Sequence, residues 1–231
     1  MAKLGVVTIG QSPRDDIVPD LTALLPPSTD VIEAGALDPL TGAEIAALAP
    51  SGDPGDEELA SRLRDGTEVA LSHRRLLPHL RAALERVRDA GAERALLLCT
   101  GGFPDLAAPL PTLTAGQLLF GTVQAVAAGR TLLVVCPLAS QCAELTRYWQ
   151  AVAARVEVTA ASPYGTVADF TAAAAELRGR LPPGEDAIGL LDCVGYDLAH
   201  RRLLADALGL PVLVPRLAMG HLLAQLMPSA S

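Results

Sequence analysis

Two cysteines in this sequence end an apolar run and are followed by a glycine-containing turn. Cys99 lies in RALLLCTGGFPD, residues 94–105, and Cys193 lies in AIGLLDCVGYD, residues 187–197. At the carboxyl end of a strand, backbone amides and a nearby helix N-terminus favour the thiolate over the thiol. A free cysteine is also commonly buried as a small apolar residue. The repetition of this context in one chain favours a functional pair.

Two thiols on opposite faces of one carbon suit the inversion of a centre next to a carboxylate. One thiolate removes the proton from one face, and the second thiol delivers a proton to the other face. The carbanion between them needs hydrogen-bond donors on its carboxylate oxygens. The Thr100 hydroxyl and the backbone N–H groups of Gly101 and Gly102 are placed to supply them. The alternative for the glycines is a tight turn that requires positive φ.

A second candidate region is TIGQSPRDDI, residues 8–17. Ser12 as N-cap and Pro13 at the first helical position predict an ordinary helix start. Arg14 would then lie in the first helical turn, where a cation opposes the helix dipole. Its guanidinium is therefore either solvent-exposed or directed at an anionic ligand.

Other polar residues give weaker indications. Arg74 and Arg75 follow an apolar run and favour a solvated helix start, although one of them could face a ligand. Tyr196 could close over a substrate or cap the core. Cys136 and Cys142 are predicted to be structural, because one ends a strand before a proline and the other lies on a helical apolar stripe.

The pattern of apolar residues predicts an α/β fold. Short continuous apolar runs alternate with amphipathic segments, which is typical of parallel strands covered by helices on both faces. The predicted strands form two groups of four, with a Pro- and Gly-rich loop at 101–113 and a helix at 114–129 between the groups. The predicted strands are 3–9, 30–36, 67–72, 94–99, 131–136, 155–160, 187–193 and 211–215, and the other predicted helices include 74–90 and 139–153.

Composition excludes several classes of function. The 231-residue chain carries a net charge of −8, which argues against nucleic-acid binding. No apolar run reaches the length of a membrane span, and the start of the chain has no cleavage-site pattern. We therefore expect a soluble cytoplasmic protein without nucleic-acid or membrane partners, and the sequence leaves a homo-oligomer open.

The sequence lacks the motifs that bind the common cofactors. Its single lysine, Lys3, precedes the first predicted strand, whereas ligands in open α/β sheets bind at the carboxyl ends of the strands. This position argues against a Schiff-base enzyme. Neither a phosphate-binding P-loop nor a GxGxxG segment occurs, and the four histidines lack metal-ligand spacing. We expect neither a metal nor an organic cofactor. His200 is expected at the surface, about two turns into a helix.

The segments VVTIGQSPRDDI, LSHRR, LLLCTGGFP and LLDCVGYDLAHRRLL resemble the AroM family, which is similar to the aspartate/glutamate racemase superfamily. The resemblance covers nearly the whole chain. It implies two similar four-stranded α/β lobes, an active site in the cleft between them, one cysteine from each lobe and no cofactor. It also implies an N-terminal lobe of residues 1–113, a C-terminal lobe of residues 114–215, and a C-terminal helix within 216–231 that packs back on the N-terminal lobe.

Carried over residue by residue, Cys99 and Cys193 match the two cysteines of the superfamily, and Thr100 matches an anion-binding neighbour. The surrounding residues are Cys-Thr-Gly and Asp-Cys-Val, whereas amino-acid racemases usually have Cys-Asn-Thr and Gly-Cys-Thr. This departure argues against α-amino acids as substrates.

The sequence therefore predicts a cofactor-independent racemase, epimerase or isomerase that acts on a small carboxylate, with Cys99 and Cys193 as the acid/base pair. Two alternatives stay open: a single-cysteine decarboxylase or cis–trans isomerase, and a non-catalytic protein that binds an anionic metabolite. The predicted substrate-binding residues are Ser12, Arg14, Thr100, Gly101, Gly102, Gly195 and Tyr196.

Overall fold

The structure, a computed structural model, describes residues 2–53 and 55–227. The chain divides into two compact units. The first unit extends from the N-terminus to Gln117 and includes the chain from Met219 onward, and the second comprises Leu118–Ala218. Within the described residues, each unit contains a four-stranded parallel sheet. The predicted α/β class with two similar sheets flanked by helices is confirmed.

The two main sheets have the same strand order. The first sheet is arranged β2-β1-β5-β6 and the second β10-β9-β7-β8. When the strands of each sheet are numbered along the chain, the first sheet reads 2-1-3-4. The second sheet also reads 2-1-3-4 when it is followed from β8 to β10. The strands of the first sheet are β1 (Ala2–Thr8), β2 (Thr29–Gly35), β5 (Arg94–Leu98) and β6 (Thr112–Thr114), and those of the second are β7 (Thr131–Cys136), β8 (Arg155–Ala160), β9 (Ala187–Leu191) and β10 (Val212–Leu213).

Continuous apolarity marks the central strands, as expected for parallel sheets with both faces covered. All residues of β7 and of β9 are buried. Lys3 lies near the amino end of β1, and its Nζ donates to the carbonyl oxygen of Ala90 at 3.3 Å. The lysine thus lies at the opposite end of the sheet from the carboxyl edge, where the candidate site residues of this unit begin.

The segment predicted as strand 67–72 is a strand, but its predicted place in the first four-stranded sheet is wrong, and so is the end of the predicted loop 101–113. Segment 67–72 forms β4 (Glu68–Ser72), which pairs antiparallel with β3 (Glu58–Arg62) in a separate hairpin. The fourth strand of the first sheet is instead β6, which begins inside the predicted loop 101–113. Along β3, half-buried and buried residues alternate, as in a strand covered on one face. Strand β6 has three residues, which are too few to show a period.

Several of the helices that cover the sheets begin with a side-chain cap. The Ser72 side chain caps α3 (His73–Asp89), and Thr166–Asp169 and Asp197–His200 form capping boxes at α6 (Val167–Arg180) and α7 (Leu198–Leu208). His200 is therefore in the first turn of its helix and is half-buried, which corrects its predicted surface position. The helices are α1 (Val18–Thr22), α2 (Gly42–Ala46), α3 (His73–Asp89), α4 (Ala115–Ala127), α5 (Cys142–Trp149), α6 (Val167–Arg180), α7 (Leu198–Leu208) and α8 (Pro215–Leu226).

The chain passes from one unit to the other within α4 and α8. The later part of α8 belongs to the first unit, where Gly220 packs against Leu24 and the Leu226 carbonyl accepts a hydrogen bond from Arg94 at 2.9 Å. Residues 228–231 of the predicted terminal segment lie outside the described residues. Within the described ranges, no helix combines the length and apolar character needed to span a membrane.

Candidate active site

In the first unit, Ser12 lies beyond the carboxyl end of β1 and is held by Asp38. The Ser12 backbone N–H and hydroxyl donate to the two oxygens of the Asp38 carboxylate at 2.8 and 2.7 Å, and the Gly35 N–H donates to the same carboxylate at 2.6 Å. Ser12 is therefore not an N-cap, and the predicted helix start at Ser12 and Pro13 is wrong. Helix α1 begins only at Val18.

Arg14 lies in the same loop rather than in a helical turn, and it is 5% exposed. Its Nε and Nη2 donate to the two carboxylate oxygens of Asp16, each at 2.8 Å, and its Nη1 donates to the Thr8 hydroxyl at 3.1 Å. Burial of Asp16 opposes its ionisation, but the hydrogen bonds and charge of Arg14 hold the pKa of that carboxyl below its usual value. Arg14 thus connects Asp16 to Thr8, the last residue of β1, and stabilises the loop between them. A role for it in anion binding stays a prediction.

Cys99 directly follows β5, so it lies at the same edge of the first sheet as the Ser12 loop. It is 7% exposed and packs within the apolar core of its unit. Its carbonyl oxygen accepts a hydrogen bond from the Gly116 N–H at 3.2 Å. Thr100, the next residue, is half-buried.

The glycines after Cys99 do not have positive φ, so the tight-turn explanation is wrong for them. A Cβ on Gly101 would lie 3.0 Å from Leu59 Cδ2 and 3.4 Å from the Cys99 sulfur. The Leu59 side chain therefore leaves little room for a side chain at Gly101, and the contact with the thiol is an ordinary van der Waals distance. Gly102 has open space where a Cβ would be. A role for Thr100, Gly101 and Gly102 in binding a carboxylate stays a prediction.

His73 also contacts the Cys99 loop, and the sequence reasoning did not select it. Its ring stacks on Phe103 with a centroid distance of 4.8 Å, and its Nε2 lies 2.8 Å from the Gly102 carbonyl oxygen. The sequence feature that could have identified His73 is its place in LSHRR, directly after the carboxyl end of β4. Of the two arginines that follow His73, Arg75 donates to the carbonyl oxygens of Ala47 and Ala49, and Arg74 is exposed.

In the second unit, Cys193 follows β9 by two residues and is half-buried. The Gly195 N–H donates to its sulfur at 3.4 Å, and the Tyr196 N–H donates to its carbonyl oxygen at 3.3 Å. A Cβ on Gly195 would lie 2.8 Å from Tyr164 Oη and 2.9 Å from Pro163 Cγ. The Gly195 N–H, predicted to bind substrate oxygen, is therefore directed at the thiol. Tyr164 is a further residue at this edge that the sequence reasoning did not select.

Tyr196 is fully buried. Its hydroxyl donates to the Ala161 carbonyl oxygen at 2.6 Å, and its ring packs against Phe170. These contacts fit the core-capping alternative stated for Tyr196, and its role in substrate binding stays a prediction.

Arg216 lies beside the Cys193 loop and was not selected from the sequence. It is 2% exposed, and its guanidinium donates to the carbonyl oxygens of Val194 and Gly195. It follows Pro215 in the first turn of α8. The Arg216 cation therefore opposes the dipole of α8, as Arg14 would if a helix began at Ser12.

The remaining two cysteines lie beside each other at the end of β7. The sulfurs of Cys136 and Cys142 are 3.6 Å apart, and Cys136 is fully buried. Burial, followed by the nearby Cys142 and the Asp192 carboxylate, raises the pKa of the Cys136 thiol far above its usual value. The Asp192 carboxylate itself accepts a hydrogen bond from the Trp149 indole at 2.8 Å. Cys136 is thus held as the neutral thiol.

We expect iodoacetamide to label Cys136 of the native protein much more slowly than Cys193, because the thiolate is the reactive species and Cys136 is sealed from solvent. Mass spectrometry of timed digests measures both rates in one sample. The urea-unfolded chain is the control, in which the two cysteines should react at similar rates. Equal rates in the native protein would contradict the structural role of Cys136.

Cys99 and Cys193 occupy equivalent positions in the two units. Each follows the third strand of its own sheet, and the two sheets have the same strand order. The predicted site residues accordingly form two groups at carboxyl edges, one in each unit. In residues 2–53 and 55–227, no cluster of three or more His, Cys, Asp or Glu side chains is arranged to hold a metal ion.

Comparison with protein families identifies a match over residues 4–227, to the family described as AroM protein. The chain belongs to the AroM family. The match covers both units and both cysteine loops. A comparison with curated protein sequences found no match.

Comparison with solved structures shows that the AroM chain shares the two-lobed racemase fold. Allantoin racemase from Klebsiella pneumoniae aligns over 98% of this chain and 87% of its own, with a TM-score of 0.61 and 15% identity. Maleate isomerase Iso from Pseudomonas putida S16 aligns over 97% and 92%, with a TM-score of 0.58 and 12% identity. Arylmalonate decarboxylase aligns over 99% and 94%, with a TM-score of 0.56 and 16% identity. At these identities the likeness concerns the fold.

Proposed function

We propose that this AroM protein is a cofactor-independent isomerase of the racemase or epimerase type that acts on a small carboxylate. The observation that carries the proposal is the equivalence of Cys99 and Cys193, which follow the third strand of two sheets with one strand order. A pair of acid/base groups related in this way is what inversion at one carbon requires, because the two faces of the carbon need the same chemistry.

In the proposed mechanism, one cysteine thiolate removes the proton α to the carboxylate. The electron pair of the broken C–H bond moves into the carboxylate, which becomes an enediolate. The second thiol then gives its proton to the opposite face of the same carbon, and the two cysteines have exchanged protonation states. No oxidant, reductant or metal is consumed. The thiolate and the thiol have then changed places. This form of the enzyme can convert the product enantiomer back to the substrate enantiomer, so the enzyme catalyses inversion in both directions.

The backbone around Cys99 supports the binding of the carboxylate. Thr100, Gly101 and Gly102 directly follow Cys99, Thr100 is half-buried, and Gly102 has open space where a Cβ would be. Backbone N–H groups held by the fold stabilise an enediolate without reorganising during the reaction. We propose that this loop binds the carboxylate, together with Ser12 from the loop after β1.

A second candidate function uses one cysteine, and the unequal burial of the two thiols favours it. Cys99 is 7% exposed and buried, whereas Cys193 is half-buried. A lone Cys193 would serve as the proton donor of a decarboxylase or as the nucleophile of a cis–trans isomerase.

The test is a screen in heavy water, with the purified 231-residue chain, of small chiral carboxylates together with disubstituted malonates and cis-alkene dicarboxylates. A two-base enzyme is expected to incorporate deuterium at the α-carbon and to give the opposite enantiomer, as measured by proton NMR and chiral chromatography. Release of carbon dioxide or a geometric isomer would favour the single-cysteine function. Tight binding of a carboxylate with neither exchange nor product would overturn both functions and favour a binding protein.

A further inference from the structure

The burial of the Arg216 guanidinium costs free energy unless nearby groups interact with its charge. Its side chain is 2% exposed, and a buried guanidinium has lost most of its hydration. It also lies in the first turn of α8, where the backbone N–H groups already carry a positive partial charge. Groups close to Arg216 must therefore compensate for its burial.

The described contacts show where the guanidinium is directed. Its Nε and Nη2 donate to the Val194 carbonyl oxygen at 3.3 and 3.0 Å, and Nη2 donates to the Gly195 carbonyl oxygen at 3.0 Å. These two residues come directly after Cys193. The arginine therefore fixes both peptide planes of the turn that carries the thiol.

One of these peptides connects the arginine to the sulfur. The Val194 carbonyl and the Gly195 N–H belong to a single planar peptide group. Arg216 binds the oxygen of this group, and its N–H donates to the Cys193 sulfur at 3.4 Å. A cation on the oxygen polarises the peptide and makes its N–H a stronger donor. A stronger donor stabilises the thiolate relative to the thiol.

We propose that Arg216 is a positioning residue that stabilises the Cys193 thiolate through the Val194–Gly195 peptide. The arginine holds the peptide with its N–H toward the sulfur and supplies the charge that polarises it. The proposal rests on the acid/base role proposed for Cys193, but its test needs no turnover.

The other titratable groups around this turn do not differ between parent and variant. The Asp192 carboxylate, which raises the pKa of the Cys136 thiol and accepts a hydrogen bond from Trp149, is present in every variant. A comparison of variants at position 216 therefore isolates the contribution of the arginine. Other titratable groups on the surrounding elements include Cys136, Cys142, Tyr148, Tyr164, Tyr196, Asp197 and His200, and helices α6 and α7 add Asp169, Glu176, Arg178, Arg180, Arg201, Arg202 and Asp206.

The experiment measures the pH dependence of iodoacetamide labelling at Cys193 in the full-length chain, with mass spectrometry to identify the labelled peptide. In Arg216→Gln we expect the midpoint to rise by about one pH unit, which is roughly a tenfold loss of rate at neutral pH. Arg216→Lys should give a smaller rise, because an ammonium keeps the charge but lacks the planar fork that spans both carbonyls. Arg75→Gln is the matched control, since Arg75 also donates to two carbonyls but in the other unit.

An unchanged midpoint in a folded Arg216→Gln protein would overturn the proposal, as would an equal shift in Arg75→Gln. If Arg216→Gln does not fold, the proposal is tested by an NMR pH titration of the parent protein. The Gly195 amide proton and the Arg216 Nε proton should then both shift with the midpoint found for Cys193 labelling. Resonances that do not follow this midpoint would overturn the proposal. A raised midpoint in a chain that exchanges no carboxylate proton would instead refute the proposed function alone.

Discussion

Replacement of Cys193 by alanine is expected to abolish inversion of the substrate, with a loss of at least about a thousandfold, because a two-base reaction has no other group to serve that face. Binding of the carboxylate should change little, since the groups proposed to hold it lie mainly in the Cys99 loop. One half-reaction should survive: Cys99 should still exchange the α-proton of the enantiomer whose hydrogen faces it. Deuterium incorporation measured separately for each enantiomer tests this asymmetry.

Cys99→Ala is the matched variant and should show the opposite preference, with exchange retained only for the other enantiomer. Cys142→Ala is the control, because it removes a half-buried thiol that the mechanism does not use. If only Cys193→Ala loses activity while Cys99→Ala keeps it, the single-cysteine function is correct. If both variants still invert the substrate, neither thiol is an essential base and the proposed mechanism is wrong.

Gly116→Ala is expected to destabilise the protein by about 1–3 kcal/mol, which is the usual cost of forcing extra volume into a packed site. A Cβ at this position would lie 2.5 Å from the Thr100 carbonyl oxygen, and the Gly116 N–H binds the Cys99 carbonyl. The neighbouring atoms are backbone, so the Cys99 loop itself would have to move. Urea unfolding should show the loss of stability, and proton exchange on the substrate should fall with it.

Gly121→Ala in the same helix is the matched control, because nothing lies within 4 Å of the added Cβ. Here we expect a gain of about 0.5–1 kcal/mol, since alanine loses less backbone entropy than glycine in a helix. Opposite signs for two identical substitutions in α4 would show that the close approach at Thr100, rather than helix propensity, decides the result. Destabilisation of similar size at both positions would refute that explanation.

Arg14 and Arg216 show what a local sequence pattern predicts and what it does not. A cation in the first turn of a helix is unfavourable unless nearby groups compensate for its charge. The pattern predicts this situation for Arg14, but Asp38 holds Ser12 in a loop and α1 begins only at Val18. Arg216 does lie in the first turn of a helix, α8, beside the Cys193 loop. Where a helix begins therefore depends on contacts that are distant in sequence as well as on the local residues.

The sequence by itself determined the α/β class, most of the strands of the two sheets, and the positions of Cys99 and Cys193 at strand ends. Long apolar runs and helical stripes are local patterns, and they reflect burial whichever elements cover them. Only the tertiary structure decided that β4 leaves the main sheet and that the short strand β6 replaces it. It also decided that Leu59 leaves little room for a side chain at Gly101 and that Arg216 binds the Cys193 turn. Each of these features depends on partners brought together by folding, since strand pairing and close backbone contact leave little trace in local composition.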